Sequence, residues 1–206
     1  MKPRLILNSK HFQLTINRLC FQLIENHNDF SESVIIGLQP RGTFLAQRVH
    51  KKLCEILKTK KIACGNLDVT FYRDDFRKKE LTPEATQIDF IVEDKKVILM
   101  DDVLFTGRTI RAGLDAMMAF GRPKQVELMV LIDRRYSRHL PIQPDYVGEV
   151  IDSIASEKVK VDWKETDGED NVWLLSGDSK TQDSRLKTDD QTKYEALTRN
   201  KGPHER

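Results

Sequence analysis

Two adjacent carboxylates, Asp101 and Asp102, precede a short loop at 105–109 that contains glycine and two threonines. The apolar run at 97–100 before them is typical of a strand buried on both faces of a parallel sheet. Carboxylates at the C-terminal end of such a strand lie where open α/β sheets bind ligands, and they can accept hydrogen bonds from two ribose hydroxyls. The loop offers backbone N–H groups at a helix start, which favours a phosphate. This run therefore predicts a sugar-phosphate site.

An ordinary strand-to-helix turn capped by Asp and Thr is the alternative interpretation of this run. Such a cap does not require paired acids followed by Thr-Gly-x-Thr, so the complete pattern favours the phosphate site. The loop is not of the Walker type, because the pattern G-x-x-x-x-G-K-[ST] does not occur in the sequence.

The elements that must position these residues follow from hydrophobic periodicity. In chain order we predict a helix capped by Asn8 or Ser9 and running to about His27, a strand at 33–38, a tight loop at 39–42, a helix at 44–57, a strand at 67–72, a strand at 97–101, a helix at 108–120 and a strand at 126–132. This alternation predicts an α/β fold with a mostly parallel central sheet and helices on both faces.

Three further segments complete the predicted organisation of the chain. Segment 73–90 is charged and poor in apolar residues, which indicates either a functional lid or a solvated hairpin. Beyond Pro141, a small β-rich hood at about 141–175 is predicted from the strand-like pieces 146–151, 158–163 and 171–175. We therefore expect one domain over 1–175 and a polar, disordered C-terminal tail over 176–206.

Composition limits the classes of function that the chain can have. Its 206 residues carry 34 Lys and Arg against 32 Asp and Glu, a balance that by itself does not argue for nucleic-acid binding. Cys20, Cys54 and Cys64 form no Cys-x-x-Cys or Cys/His cluster, so a zinc site is not expected. We expect these cysteines to be free thiols in a reducing compartment. The apolar run at 5–7 is too short for a signal peptide or membrane span, which predicts a cytoplasmic protein without membrane association.

The run VILMDDVLFTGRT at 97–109 resembles the phosphoribosyl-pyrophosphate motif of the type I phosphoribosyltransferases. The blocks GLQPRGTFLAQRV, LDVTFYRDDFRKK, RAGLDAMMAFGRP and LPIQPDYVGEVI are similar to the PyrR family, which comprises pyrimidine-operon attenuators that are also uracil phosphoribosyltransferases. The resemblance covers about 4–163. It implies a type I phosphoribosyltransferase fold with a hood and a flexible lid loop. The activity that it implies is formation of UMP and pyrophosphate from uracil and 5-phosphoribosyl 1-pyrophosphate (PRPP), with Mg²⁺.

The resemblance also implies roles at matching positions. Asp101 and Asp102 would hold the ribose of PRPP, with the Mg²⁺ that PRPP carries close to both. The other matches are a 5′-phosphate loop of Val103, Leu104, Phe105, Thr106, Gly107, Arg108 and Thr109, a pyrophosphate loop of Pro40, Arg41 and Gly42, a lid residue, Arg73, and two residues that border the base or nucleotide, Arg134 and Val159.

From the residues alone, several of these positions have ordinary structural interpretations as well. For Arg41, a surface cation at a helix start is the less favoured alternative. Val159 is at least as well explained as a core residue of a strand. A surface pair of Arg73 with Asp74 or Asp75 is as good an interpretation as a lid residue.

Phe105 bears on the choice of base. Purine-specific relatives carry an acid immediately before the Thr-Gly of this loop, where it handles the proton on N7 of the purine. An apolar ring cannot act as an acid or a base, so Phe105 favours a pyrimidine. PyrR proteins usually have Tyr at this position, so the ring is kept and the hydroxyl is lost.

The resemblance leaves a second class of function open, a UMP-responsive regulator that binds leader mRNA with little catalysis. The basic residues available for such a face are Arg134, Arg135, Arg138, His139, Lys51, Lys52, Lys58, Lys60 and Lys61. A plain solvated surface is the favoured explanation of these residues, and a phosphoribosyltransferase for another base is a third possibility. The family also implies a homo-oligomer, dimer or larger. Two departures from the family are Pro40 in place of the common Thr and a longer, more basic segment at 134–139.

Overall fold

A computed structural model describes residues 3–73 and 85–176 of the chain. Its strands are β1 (Arg4–Leu7), β2 (Ser33–Leu38), β3 (Ala63–Leu67), β4 (Lys96–Leu104), β5 (Gln125–Arg135), β6 (Tyr146–Asp152), β7 (Lys158–Asp162) and β8 (Asn171–Leu175). Its α-helices are α1 (Ser9–His27), α2 (Gly42–Leu57), α3 (Arg108–Met117) and α4 (Lys164–Asp167). Short 3-10 turns occur at Thr70–Tyr72 and Met118–Phe120.

The central sheet has the strand order β3-β2-β4-β5-β6, and every neighbouring pair is parallel. The chain leaves β2 towards β3 on one side and returns to β4 on the other side. The loops that follow β2 and β4 therefore start at a point where the strand order reverses, which is where open α/β sheets bind ligands. The predicted α/β fold with a mostly parallel sheet is confirmed.

The two faces of the sheet are covered by different helices, because side chains alternate along each strand. Ile35 and Ile98 pack in the cluster that includes α1 and α2. Ile36 and Leu99, one residue further along each strand, pack in the cluster that includes α3. Asn8 caps α1, since its side chain accepts a hydrogen bond from the His11 N–H at 2.9 Å.

A second, antiparallel sheet with the order β1-β8-β7 forms the hood. Trp163, directly after β7, is fully buried between the rings of Phe12 and Phe44, with centroids 5.2 and 5.7 Å away. The Arg48 guanidinium lies 5.0 Å from the Trp163 ring and forms ion pairs with Glu165 and Asp170. These aromatic and ionic contacts dock the hood onto α1 and α2.

The structure differs from the predicted elements in two strands. Segment 146–151 was expected in the hood, but β6 pairs in parallel with β5 at the edge of the main sheet. A strand expected at 67–72 lies earlier, at Ala63–Leu67. Asp68 explains this shift, because its carboxylate accepts hydrogen bonds from both N and Oγ1 of Thr70 and ends the extended chain in a turn. Within the residues that the structure describes, no helix is long and apolar enough to cross a membrane.

Candidate active site

The site lies at the C-terminal end of β4, between the loops that follow β2 and β4. Asp101 and Asp102 are the sixth and seventh of the nine residues of β4, so they belong to the strand itself. Each residue is only 8% exposed. The strand therefore presents two carboxylates from a fixed backbone, which is paired with β2 up to Met100 and with β5 on past the carboxylates.

Burial governs the electrostatics of this carboxylate pair. Loss of hydration raises the pKa of Asp101 well above its usual range, and the adjacent charge of Asp102 raises it further. Burial also raises the pKa of Asp102, and the Arg41 guanidinium beside it acts in the opposite direction. Two close carboxylates in a desolvated setting create a strong demand for a cation or for hydroxyl donors. A ribose diol and a bound cation meet that demand.

Arg41 connects the loop after β2 to this pair. Its Nε donates to Asp102 Oδ2 at 2.9 Å, and its Nη2 donates to the carbonyl of Val161 in β7. The peptide bond between Gln39 and Pro40 is cis, and Thr43 Oγ1 donates to the Pro40 carbonyl at 2.8 Å. The predicted pyrophosphate loop thus lies against the predicted ribose carboxylates, and its cation is held at their edge.

Gly42 allows this close approach. A Cβ built on it would lie 2.4 Å from the Met100 carbonyl oxygen and 3.0 Å from the Asp101 Cα. Both atoms belong to the backbone of β4, so no flexible side chain is available to give way. Only glycine lets the start of α2 pack directly on the acidic strand.

The loop after β4 leads into the N-terminus of α3, as the sequence predicts. Val103 and Leu104 still belong to β4, and the loop proper comprises Phe105, Thr106 and Gly107. Gly107 adopts φ 87°, a left-handed conformation that favours glycine, and it is the N-cap residue of α3. Arg108 and Thr109 form the first turn of that helix. The N–H groups of a helix start and the positive end of the helix dipole make this turn a suitable phosphate site.

Arg73 lies on the α3 side of the same opening. Its Nη1 donates to Thr109 Oγ1 at 3.3 Å, so its cation is close to the predicted phosphate loop. Of the lid predicted at 73–90, residues 74–84 lie outside the described part of the chain. Residues 85–90 return to the sheet edge, where Gln87 and Asn66 exchange backbone hydrogen bonds.

Arg134 is brought to the site through Phe105. Its guanidinium carbon lies 3.9 Å from the centroid of the Phe105 ring, a close cation–π contact. The side chain is buried, and it donates to Ser153 Oγ at 2.9 Å and to the carbonyls of Ile154 and Glu157. Arg134 therefore holds the loop after β6 by hydrogen bonds and covers the ring of Phe105.

Val159 is the predicted residue that the structure ties least to this site. It lies in β7, pairs with Leu174 and packs on the main core. Contact between the hood and the site runs instead through Val161, whose carbonyl accepts from Arg41. The core interpretation of Val159 fits these contacts.

The donor set fits a divalent cation that brings its own further ligands. Among the described residues, no group of three or more His, Cys, Asp and Glu side chains could hold a metal by itself. Two carboxylates at one strand end match the way Mg²⁺ binds, with one or two carboxylates plus waters and substrate phosphates.

Sequence reasoning missed the residues behind the phosphate loop. Arg138 was considered only for an RNA face, but its Nη1 donates to the carbonyls of Leu104 and Phe105. Its Nη2 bonds the carboxylate of Asp133. A basic residue in a turn carries no sequence signal that distinguishes an internal role from a solvated one.

Comparisons with known proteins agree with this geometry. A family model described as "Phosphoribosyl transferase domain" matches residues 5–166. The "Bifunctional protein PyrR" of Desulfosudis oleivorans is 47% identical over 169 residues, covering 81% of this chain and 93% of the relative. The protein of that name from Synechocystis is 42% identical over 173 residues, covering 84% of this chain and 96% of the relative.

Solved structures show the same fold. A hypoxanthine phosphoribosyltransferase from Staphylococcus aureus matches with a TM-score of 0.62 at 18% identity, covering 84% of this chain and 92% of that chain. The hypoxanthine phosphoribosyltransferase of Trypanosoma cruzi also matches with a TM-score of 0.62, at 15% identity, covering 84% of this chain and 96% of that chain. At these identities the likeness concerns the fold alone.

Proposed function

We propose, from the premise that this chain belongs to the phosphoribosyl transferase family and within it to the bifunctional PyrR proteins, that it forms UMP and pyrophosphate from uracil and PRPP. The observation that carries the proposal is the buried Asp101–Asp102 pair, placed between the Arg41 loop and the loop that starts α3. This arrangement offers acceptors for a ribose diol, a cation for a pyrophosphate and a helix start for a 5′-phosphate.

The reaction requires charge stabilisation more than a nucleophilic side chain. The ribose C1 gains oxocarbenium character as its bond to pyrophosphate breaks. Uracil N1 forms the new bond to C1, and the proton of N1 goes to the departing pyrophosphate. Asp101 and Asp102 orient the ribose hydroxyls and supply negative charge in a desolvated setting, where electrostatic stabilisation is strong. Arg41 and the backbone of its loop bind the departing pyrophosphate.

The remaining roles belong to the loop after β4 and to Mg²⁺. Thr106, Gly107 and Thr109 bind the 5′-phosphate and so fix the position of C1 relative to the base. Arg73 adds positive charge beside Thr109. Asp101 and Asp102 would hold the Mg²⁺ that accompanies PRPP, and the ion would supply positive charge for the pyrophosphate group.

Uracil is the proposed base because of Phe105. The residue before Thr-Gly is an apolar ring, and the Arg134 guanidinium lies against that ring at 3.9 Å. No proton acceptor for a purine N7 is offered by such a pair.

Base specificity is tested by measuring pyrophosphate release from PRPP and Mg²⁺ with uracil, hypoxanthine, guanine, adenine and orotate in separate reactions. We expect turnover with uracil and background rates with the other four bases. Turnover with another base alone would overturn the proposed substrate and leave the donor site in place. A complete lack of turnover would favour the regulatory function described next.

UMP-responsive RNA binding is the second candidate function, and the exposed lysines favour it. Lys51, Lys58, Lys60 and Lys61 are all solvent-exposed at the end of α2 and in the loop that follows. The segment at 134–139 contributes less than expected, because two of its three arginines are bonded internally and Arg135 pairs with Asp152.

A structured leader RNA should then bind with an affinity that falls as salt rises and that increases when UMP is present. Lys60→Glu combined with Lys61→Glu should weaken this binding and leave turnover unchanged. Binding that is insensitive to both UMP and these charges would remove the regulatory role.

Assembly and location complete the proposal. Leu14 and Phe21 are more than half exposed and lie seven residues apart on α1, which fits a homo-oligomeric contact, in a dimer or larger. Burial raises the pKa of both Cys20 and Cys64 to about 12, which keeps these free thiols protonated and poorly reactive. Free cysteines suit a reducing compartment such as the cytoplasm. Sedimentation of the wild type beside Phe21→Glu tests the contact, and an unchanged oligomeric mass in the variant would contradict it.

A further inference from the structure

Arg138 holds several backbone groups behind the phosphate loop. Its Nη1 donates to the Leu104 carbonyl at 3.2 Å and to the Phe105 carbonyl. Its Nε donates to the Ile142 carbonyl at 3.1 Å, and its Nη2 binds Asp133 Oδ1. One guanidinium thus joins the end of β4, the end of β5 and the segment that follows β5. The side chain is 23% exposed, so these bonds form in a largely desolvated place.

The backbone of the same segment continues this contact along the loop. The N–H groups of His139 and Leu140 both donate to the Thr106 carbonyl, at 3.0 and 3.2 Å. Gly107 packs on the segment as well, because a Cβ there would lie 3.2 Å from Ile142 Cδ1. Residues 138–142, which we call the brace, therefore cover one side of the loop from its first residue to the helix start.

The geometry of the peptide group then fixes the direction in which the N–H groups of the loop point. In a trans peptide, the carbonyl of one residue and the N–H of the next point in opposite directions. The brace binds the carbonyls of Leu104, Phe105 and Thr106, so the N–H groups of the three following residues point away from it. They point to the opposite side of the loop, where N–H groups at the start of α3 can meet a phosphate.

We propose that Arg138 is a positioning residue for the 5′-phosphate: its guanidinium holds two successive peptides of the loop after β4, and the brace backbone that it anchors holds a third, so that their N–H groups face the ligand. This inference rests on the proposed function, since it takes this loop as the phosphate site. Arg138 itself does not touch the substrate. Its contribution lies in an orientation of the peptides that exists before the ligand arrives, which reduces the cost of binding.

The test compares Arg138→Gln with Arg135→Gln. Both variants remove one guanidinium from the end of β5 and the turn after it. Arg135 is exposed, pairs with Asp152 at the surface and lies 5.6 Å from the exposed Tyr136 ring. For each variant we would measure the affinities for UMP and for uridine by calorimetry, the KM values for PRPP and uracil, and the melting temperature. The ratio of the UMP and uridine affinities isolates the contribution of the 5′-phosphate.

We expect Arg138→Gln to lower this ratio by about 10-fold to 100-fold, the loss for misaligned hydrogen bonds to a charged group. The KM for PRPP should rise by a similar factor, while the KM for uracil should change by less than about 3-fold. Arg135→Gln should match the wild type. Arg138→Lys keeps a positive charge for Asp133, but a single ammonium cannot bond the carbonyls of Leu104, Phe105 and Ile142 at the same time. The ratio of UMP to uridine affinity in Arg138→Lys should therefore lie between those of the wild type and Arg138→Gln.

Equal losses of UMP and uridine affinity in Arg138→Gln would overturn the inference, because a general loss of structure affects both ligands. An unchanged ratio would overturn it as well. If Arg138→Gln does not fold, the same readings on Arg138→Lys decide, and a ratio equal to that of the wild type would refute the positioning role. A wild type that lacks turnover with every base would instead contradict the proposed function, so the two failures are distinguishable.

Discussion

Gly42→Ala is the substitution that tests the site geometry most sharply. The added Cβ would lie 2.4 Å from the Met100 carbonyl oxygen, whereas ordinary contacts begin near 3.4 Å, so the loop must move by about 1 Å. Strand β4 cannot yield easily, because it is paired with β2 up to Met100 and with β5 as far as Leu104. A shift of about 1 Å at a reacting centre costs about 100-fold in rate. Overpacking of this kind also lowers the free energy of unfolding by about 1–3 kcal/mol.

The assay is pyrophosphate release with PRPP, Mg²⁺ and uracil, analysed for kcat and for the KM of PRPP, together with urea unfolding. Gly168→Ala is the matched control. Gly168 has φ 87° and its added Cβ would meet nothing within 4 Å, so Ala there introduces backbone strain of about 1–2 kcal/mol without a clash. We expect the control to lose stability and keep its kcat/KM. Wild-type kcat/KM in Gly42→Ala would refute the assignment of the loop after β2 to the pyrophosphate.

Three other perturbations give further tests. Asp101→Asn keeps an acceptor for the Asp102 N–H and removes one of two buried charges. The free energy of unfolding at pH 7 should therefore rise, because the cost of burying a carboxylate with a raised pKa is removed, at about 1.4 kcal/mol per pKa unit. A variant that is less stable in urea would contradict this. Burial lowers the pKa of His27 below 6.5, so this residue's contribution to stability is present above pH 6.5 and is lost as the pH falls below that value. His27→Gln should therefore flatten the pH dependence of urea unfolding between pH 5 and 7. An unchanged pH dependence in the variant would count against this assignment. Arg48→Gln leaves two carboxylates and two aromatic rings of the hood contact without their cation. We expect the free energy of unfolding, measured by chemical denaturation, to fall by about 2–4 kcal/mol. A fall of less than about 0.5 kcal/mol would show that the hood docks by other contacts.

The parts of the fold that sequence could predict are those with a strong local signal. Strands β2, β4 and β5 are apolar runs bounded by turns, and their order with the helices leaves few topologies to consider. The order of carboxylates, Thr-Gly loop and helix start was predicted because all three are continuous with one such strand, whose last residues include Asp101 and Asp102. A local pattern was therefore sufficient to place these residues in the fold, whereas their role in binding PRPP stays a prediction.

Other features depend on partners far away in the chain. Strand β1 has four residues, and its partner β8 lies about 170 residues later, so no local pattern indicates the pairing. Strand β3 contains Cys64, Gly65 and Asn66, which carry little strand propensity, whereas the alternating residues after it form a turn. The inward orientation of Arg138 is set by carbonyls of two strand ends, which become neighbours only after folding.

The most direct measurement is UMP formation from uracil, PRPP and Mg²⁺ by the wild type and by the double variant Asp101→Asn, Asp102→Asn at equal concentration. If the buried carboxylates bind the donor ribose, the wild type forms UMP and the double variant is slower by about 1,000-fold or more, the scale expected when a charge-stabilising group is removed. Its stability in urea should equal or exceed that of the wild type, which excludes unfolding as the cause. Wild-type rates of UMP formation in the folded double variant would contradict the donor site at the end of β4.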